Sequence, residues 1–202
     1  METETTIQHL KRVERETRKQ IILTAALKLF SEDQISNVGM RDIAKEAGVS
    51  PALIYRHFKD RDELFIEAFV KESQKMIENF ETNLSSEQVI TVEKISKEFI
   101  RYLIEHPLLF RMMTYFMLDH TLINEHMDRF NVTMRELLAI FDQGFEHQQL
   151  TKDVRLHSHA LFSALNGIMI TFYHYPGRTE EDIESHIDRL TSLIVTLFEK
   201  AE

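Results

Sequence analysis

The chain has no cysteine, so disulfides and thiolate metal sites are both excluded. Proline and glycine are scarce, three and five in 202 residues. With so few breakers, long uninterrupted helices are expected. Apolar runs are short and broken by charge, so no segment is built to span a bilayer. The opening stretch METETTIQHLKRVERETRK lacks the apolar core of a signal peptide. A cytoplasmic protein without membrane contact is the expectation. Strand-like alternation, internal repeats and low-complexity tracts are missing. So are a nucleophile–base pair, a phosphate loop and a His-Glu metal motif, which argues against an enzyme. The ten histidines show no spacing that gathers three or four ligands: His157 and His159, two apart, point in different directions on a helix. No cofactor and no metal are expected.

The net charge of −9 at first argues against a nucleic-acid partner. Its distribution reverses that reading. From Lys11 to Arg61 there are 11 lysines and arginines against 7 aspartates and glutamates, a local +4, which leaves −13 for the rest. A basic N-terminal segment on an acidic body can present a positive face to phosphates.

Periodicity predicts an all-α chain of about nine helices. The first sixteen or so residues, polar and mixed in charge, read as frayed or a loose helical extension. Ile21, Ile22, Ala25, Ala26, Leu29 and Phe30 then form one apolar stripe. A short helix follows from about Met40 to Ala47, with Gly48 where a left-handed C-cap belongs. Ser50 caps the next helix and Pro51 takes its first position. Asp60 and Glu63 form a capping pair for a fourth helix. Ser85 and Gln88 mark the start of a fifth, carrying Val89 and Val92 and ending near His106. Pro107 restarts the chain. Further helices are expected over about Leu122–Gln148, Asp153–Tyr175 and, after the capping pair Thr179 and Asp182, to the end. The expected division is a DNA-binding domain over 1–60 and an effector-binding, dimerising domain over 61–202.

Two short helices joined by a tight glycine turn form the helix-turn-helix pattern. Its second helix must enter the major groove, so it has to be short, capped and backed by an apolar partner. In MRDIAKEAGVSPALIYRHF, Ile43, Ala44, Ala47, Val49 and Ile54 can set the angle between the helices. Ser50, Pro51, Ala52, Leu53, Tyr55, Arg56 and His57 are left outward or sideways. Tyr55 and His57 can hydrogen-bond phosphate, and Arg56 adds charge. LTAALKLF, followed by RDIAKEAGVSPALIYRHFKDRDELF, closely resembles the N-terminal signature of TetR/AcrR-family regulators, over about Gln20–Phe69. Beyond that stretch the likeness is in helix count and size.

The resemblance implies a homodimer on a palindromic double-stranded DNA operator, acting as a repressor released by a small, largely apolar effector. It places Ser50, Tyr55 and His57 at phosphates and Pro51, Ala52 and Leu53 at base edges. Arg61 stands where the family usually has a lysine, a cation sharing a phosphate with the helix N-terminus. Gly39 replaces a usual Ser or Thr, leaving only a backbone N–H for phosphate. Arg41 and Lys59 complete the candidate DNA contacts. Ala52 and Leu53 stand where Gly and Thr are common, so contacts with thymine methyls and DNA shape gain weight.

In the body, Phe and Met residues serve either as ordinary core or as walls of a pocket. The candidate effector contacts are Phe99, Tyr102, Met113, Phe116, Met117, Phe141, Asn166, Met169 and Tyr173. No cationic cluster accompanies them, which favours a neutral or cationic ligand. Small residues one turn apart, His159-Ala160, Ser163-Ala164 and Gly167, pack either within the subunit or, with Leu190, Ile194 and Leu197, in an isologous dimer interface through the last two helices.

Overall fold

The computed structural model describes residues 6–85, 90–118, 127–150 and 152–199. Among these it contains nine α-helices, one 3-10 turn and no strand. They are α1 (Thr6–Glu32), α2 (Met40–Glu46), α3 (Pro51–Ile54), α4 (Arg61–Ser85) and α5 (Val92–Glu105), then α6 (Pro107–Leu118), α7 (Met127–His147), α8 (Val154–Phe172) and α9 (Glu180–Glu199). No helix among the described residues is long and apolar enough to cross a membrane.

α1 is much longer than its apolar stripe. Ile22, Leu23, Ala26 and Phe30 are buried, whereas residues 6–18 are exposed throughout. The extension stays helical because nothing breaks it and neighbouring turns support one another. Glu14 and Arg18 pair at 2.6 Å, and Gln20 donates to Glu16 at 2.8 Å. Of the two expectations for this stretch, frayed or a loose helical extension, the structure shows a helix continuous from Thr6.

α4 joins the reader to the body, packing against α1 on one side and against α6 and α7 on the other. α7 also packs on α5 and α8, and α9 closes the body against α5 and α8. α5 begins later than the Ser85–Gln88 signal indicates. Ser85 ends α4, and Thr91 caps α5 by accepting the Lys94 N–H at 3.1 Å. Gln88 and Val89 lie outside the described residues, as does Leu122, the expected start of α7. In α9, Ile187, Thr191 and Val195 face the core, and Leu193 and Leu197 are more than half exposed. Ile183, Leu190, Ile194 and Phe198 pack against the core beside them.

α7 crosses α5 at Gly144. A Cβ there would lie 2.8 Å from Ile95 Cδ1 and 3.3 Å from the Val92 Cα. The backbones can approach only because that atom is missing. Gly144→Leu should therefore destabilise the protein by about 2 kcal/mol through overpacking, read as a lower midpoint in urea-unfolding curves.

Candidate nucleic-acid interface

The reader is built on the turn between α2 and α3. Gly48 has φ of 66° and carries the chain out of α2. The Val49 N–H donates to the Ala44 carbonyl at 3.0 Å, and the Gly48 N–H to the Lys45 carbonyl at 3.2 Å. That double closure is a complete Schellman motif. Ile43, Ala44 and Ile54 are buried beneath it. Ser50 caps α3, its Oγ accepting the Leu53 N–H at 3.3 Å. α3 is a single α turn, prolonged by tightened bonds as far as Phe58, whose ring is buried.

This leaves Ser50, Pro51, Ala52, Tyr55 and Arg56 exposed together, with Leu53 and His57 half-buried beside them. Tyr55 is 56% exposed. The Ser50 hydroxyl keeps its O–H free to donate, since its cap uses only a lone pair. Arg41 and Lys59 are exposed on the flanks.

Two candidates are used differently from expectation. The Gly39 N–H donates to Asp42 Oδ2 at 3.0 Å, closing the N-terminus of α2. The orphan donors left for an anion belong to the residues that follow it. Arg61 turns inward. Its Nε donates to the Val38 carbonyl at 2.7 Å, and Nη2 donates to the Ile35 carbonyl. It fastens the 3-10 turn (Ile35–Asn37) and the entry to α2 onto α4. At the same corner the Glu63 N–H donates to Asp60 Oδ1 at 2.8 Å, and Glu63 returns by accepting the Lys59 N–H at 2.5 Å.

The α1 extension contributes cations that the reading of the sequence left out. Lys11, Glu14, Arg15 and Arg18 line a groove of about 610 Å³ whose far wall is Leu53, Arg56 and His57. The missed signal is spacing: 11, 15 and 18 fall at i, i+4 and i+7, one face of a helix. His57 is held below the ordinary imidazole range, first by partial burial and then by Arg15, Arg56, Arg18 and Lys19.

The candidate effector contacts do not form one site. Phe99 and Phe141 meet Phe162, with ring centroids 5.5 to 6.1 Å apart. Phe116 belongs to another cluster, with Phe65, Phe69 and Phe130. Tyr102, Met113, Asn166 and Met169 are buried, while Met117 is exposed. Asn166 donates Nδ2 to the Phe162 carbonyl at 2.8 Å, and its buried Oδ1 has no partner. Tyr173 instead lines a groove of about 540 Å³ with Ile104, Ile183 and Ile187. On the opposite side of α8, His159, Ala160, Ser163 and Gly167 are exposed, and Ala164 is half-buried. Leu190 and Ile194 are half-buried on α9, with Leu197 exposed.

The model of the bacterial regulatory proteins of the tetR family matches residues 22–68. An HTH-type transcriptional regulator of Shigella flexneri, AcrR, is 49% identical over 54 residues, 27% of this chain and 25% of its own length. An uncharacterized HTH-type transcriptional regulator of Haemophilus influenzae is 43% identical over 51 residues, 25% of each chain. The chain thus matches about a quarter of the length of these curated relatives. Over the whole fold it is similar to the transcriptional regulator FadR of Bacillus subtilis, solved with stearoyl-CoA. There the TM-score is 0.70 at 19% identity, covering 91% of this chain and 98% of the other. NalD of Pseudomonas aeruginosa, a secondary repressor of a multidrug efflux pump, superposes with a TM-score of 0.63 at 22% identity, covering 91% and 96%. Residues 22–68 thus carry the N-terminal helix-turn-helix signature of tetR-family regulatory proteins, on a helical body that shares the fold of these solved regulators.

Proposed function

We propose that the chain represses transcription by binding a palindromic DNA operator as a homodimer, and that a small, largely apolar effector releases it. In this reading residues 1–60 read DNA, and 61–202 bind the effector and dimerise. The observation that carries it is the capped α3, whose Ser50, Tyr55 and Arg56 stand exposed on one rigid turn. One reader makes few phosphate contacts, so two copies are needed for tight binding.

An apolar face for the second copy is available on α8 and α9. Leu156, Ala160, Gly167, Ile170, Leu193 and Leu197 are exposed there, unpartnered within the chain. The effector reading draws on the Phe- and Met-rich interior and on Asn166, whose unpaired Oδ1 could accept a hydrogen bond from a ligand. Phe99, Phe141 and Phe162 lie in ring contact with one another, so a ligand among them would have to part them. Arg111 offers a route from body to reader. On α6, it donates to the carbonyls of Ser31 at 3.0 Å and Asp33 at 2.5 Å, at the end of α1.

Binding to the DNA upstream of the chain's own gene, followed by fluorescence anisotropy, tests the proposal directly. Affinity should fall steeply with salt, and Tyr55→Ala should lower it about tenfold without changing thermal stability. Arg61→Gln should behave oppositely first, costing about 1–3 kcal/mol of stability through its lost carbonyl bonds. Salt-insensitive binding, or none, would refute the proposal.

His57 supplies a pH dependence. Its lowered affinity for protons means that the unfolded chain protonates first as pH falls. Stability from this group is therefore present above the ordinary imidazole pKa and declines below it. A phosphate favours the imidazolium, so DNA binding should take up a proton and strengthen as pH drops from 7 to 6. His57→Gln should abolish that gain, measured by titrating anisotropy against pH.

Dimerisation has its own check. A side chain at Gly167 meets nothing within 4 Å inside the subunit. Gly167→Glu should accordingly keep its helix content yet sediment as a monomer and lose operator affinity.

A further inference from the structure

The α1 extension is a polar helix that buries nothing over residues 6–18, so packing does not account for it. On one of its faces Lys11, Arg15 and Arg18 stand one turn apart. The groove they line is closed by Leu53, Arg56 and His57, and so runs directly into the exposed surface of α3. Four cations meet there against one carboxylate, Glu14, which is engaged with Arg18 at 2.6 Å. None of the ion pairs or side-chain hydrogen bonds found in the described residues engages the charged groups of Lys11, Arg15 or Arg56. A cationic groove of this kind, walled by flexible side chains and lacking a carboxylate of its own for each cation, suits a row of anions.

The row has a length. Lys11 to Arg18 spans about 10 Å of helix axis. Over that distance one strand of duplex DNA carries about three phosphates. Resting on the reading of α3 as the DNA-facing helix, we infer that Lys11, Arg15 and Arg18 form a second phosphate-binding wall that holds one DNA strand alongside the recognition helix, independently of base sequence. His57, on the far wall, is held below the ordinary imidazole range first by its partial burial and then by Arg15, Arg56 and Arg18 of the same groove.

The wall changes what the reader is. α3 is a single turn with three side chains of little hydrogen-bonding capacity, Pro51, Ala52 and Leu53, at its exposed start. Affinity then leans on phosphates, and the extension doubles the length of backbone held. Its contribution is equal for operator and for unrelated DNA, because phosphates carry no sequence information.

The test uses the full-length protein and a mixed-sequence DNA duplex, with Lys11→Gln/Arg15→Gln as the variant. Both side chains are exposed, so circular dichroism and melting temperature should match the wild type. The slope of log affinity against log salt should become shallower by about 2 per reader, at about 0.9 for each lost contact. Affinity for operator and mixed-sequence DNA should fall by the same factor, and Lys11→Arg/Arg15→Lys should restore the slope. An unchanged slope, in a preparation where Tyr55→Ala still weakens binding, would overturn the phosphate wall while leaving the reader intact. Failure of the wild type to bind any duplex would instead overturn both.

Discussion

One phenylalanine ties three helices together within the core. Phe65, on α4, meets Phe30 of α1 edge-on at 5.3 Å and stacks on Phe116 of α6 at 5.0 Å. Tyr115 closes on it at 5.1 Å, and Phe116 in turn stacks on Phe130 of α7 at 4.5 Å. Each ring pair adds about 0.5–1.5 kcal/mol beyond simple burial. More important is the rigidity of the arrangement. Interiors packed to crystal density do not deform smoothly, and these ring contacts fix α1, α4, α6 and α7 against one another. The helix-turn-helix packs on α1, and Phe30 of α1 packs on that ring.

Polar ties surround this apolar hinge and act on the same parts. Arg61 fastens the entry to α2 onto α4 through the Val38 and Ile35 carbonyls. Arg111 fastens the exit of α1 onto α6. Glu67 sits between α1 and α7, receiving both Lys19, at 2.6 Å, and Arg129. Burial alone would raise the Glu67 pKa, but the hydrogen bonds from Arg129 and Lys19 overcome it and hold the carboxyl below its usual range. Because the bonds of Arg61 and Arg111 end on backbone carbonyls, they constrain the path of the chain more than its side-chain packing.

Much of this was legible locally. Gly48 at a positive φ, Ser50 as a cap, Pro51 at the first turn and the return of Glu63 toward the preceding backbone all depend on residues within four positions of one another. Such signals survive in the linear sequence because the groups that satisfy one another are neighbours in it. The start of α5 was misplaced for the same reason: Ser85 and Gln88 mimic a capping pair, while the cap used is Thr91. Lys11, Arg15 and Arg18 were passed over because a polar stretch with no apolar stripe offers no buried face to orient it, although their spacing already described one helical face.

The sequence by itself determined an all-helical chain, the helix-turn-helix and the side chains exposed on α3, because short-range caps and apolar periodicity specify them. Only the tertiary structure decided the rest. It turned Arg61 from a phosphate ligand toward the carbonyls of Ile35 and Val38, separated Phe116 from Phe99 and Phe141, and set the α1 extension across a groove from Arg56 and His57. Those outcomes depend on which helices meet and at what angle. Contacts between residues more than 20 positions apart leave no periodic trace in the chain, so they become visible only once the helices have packed.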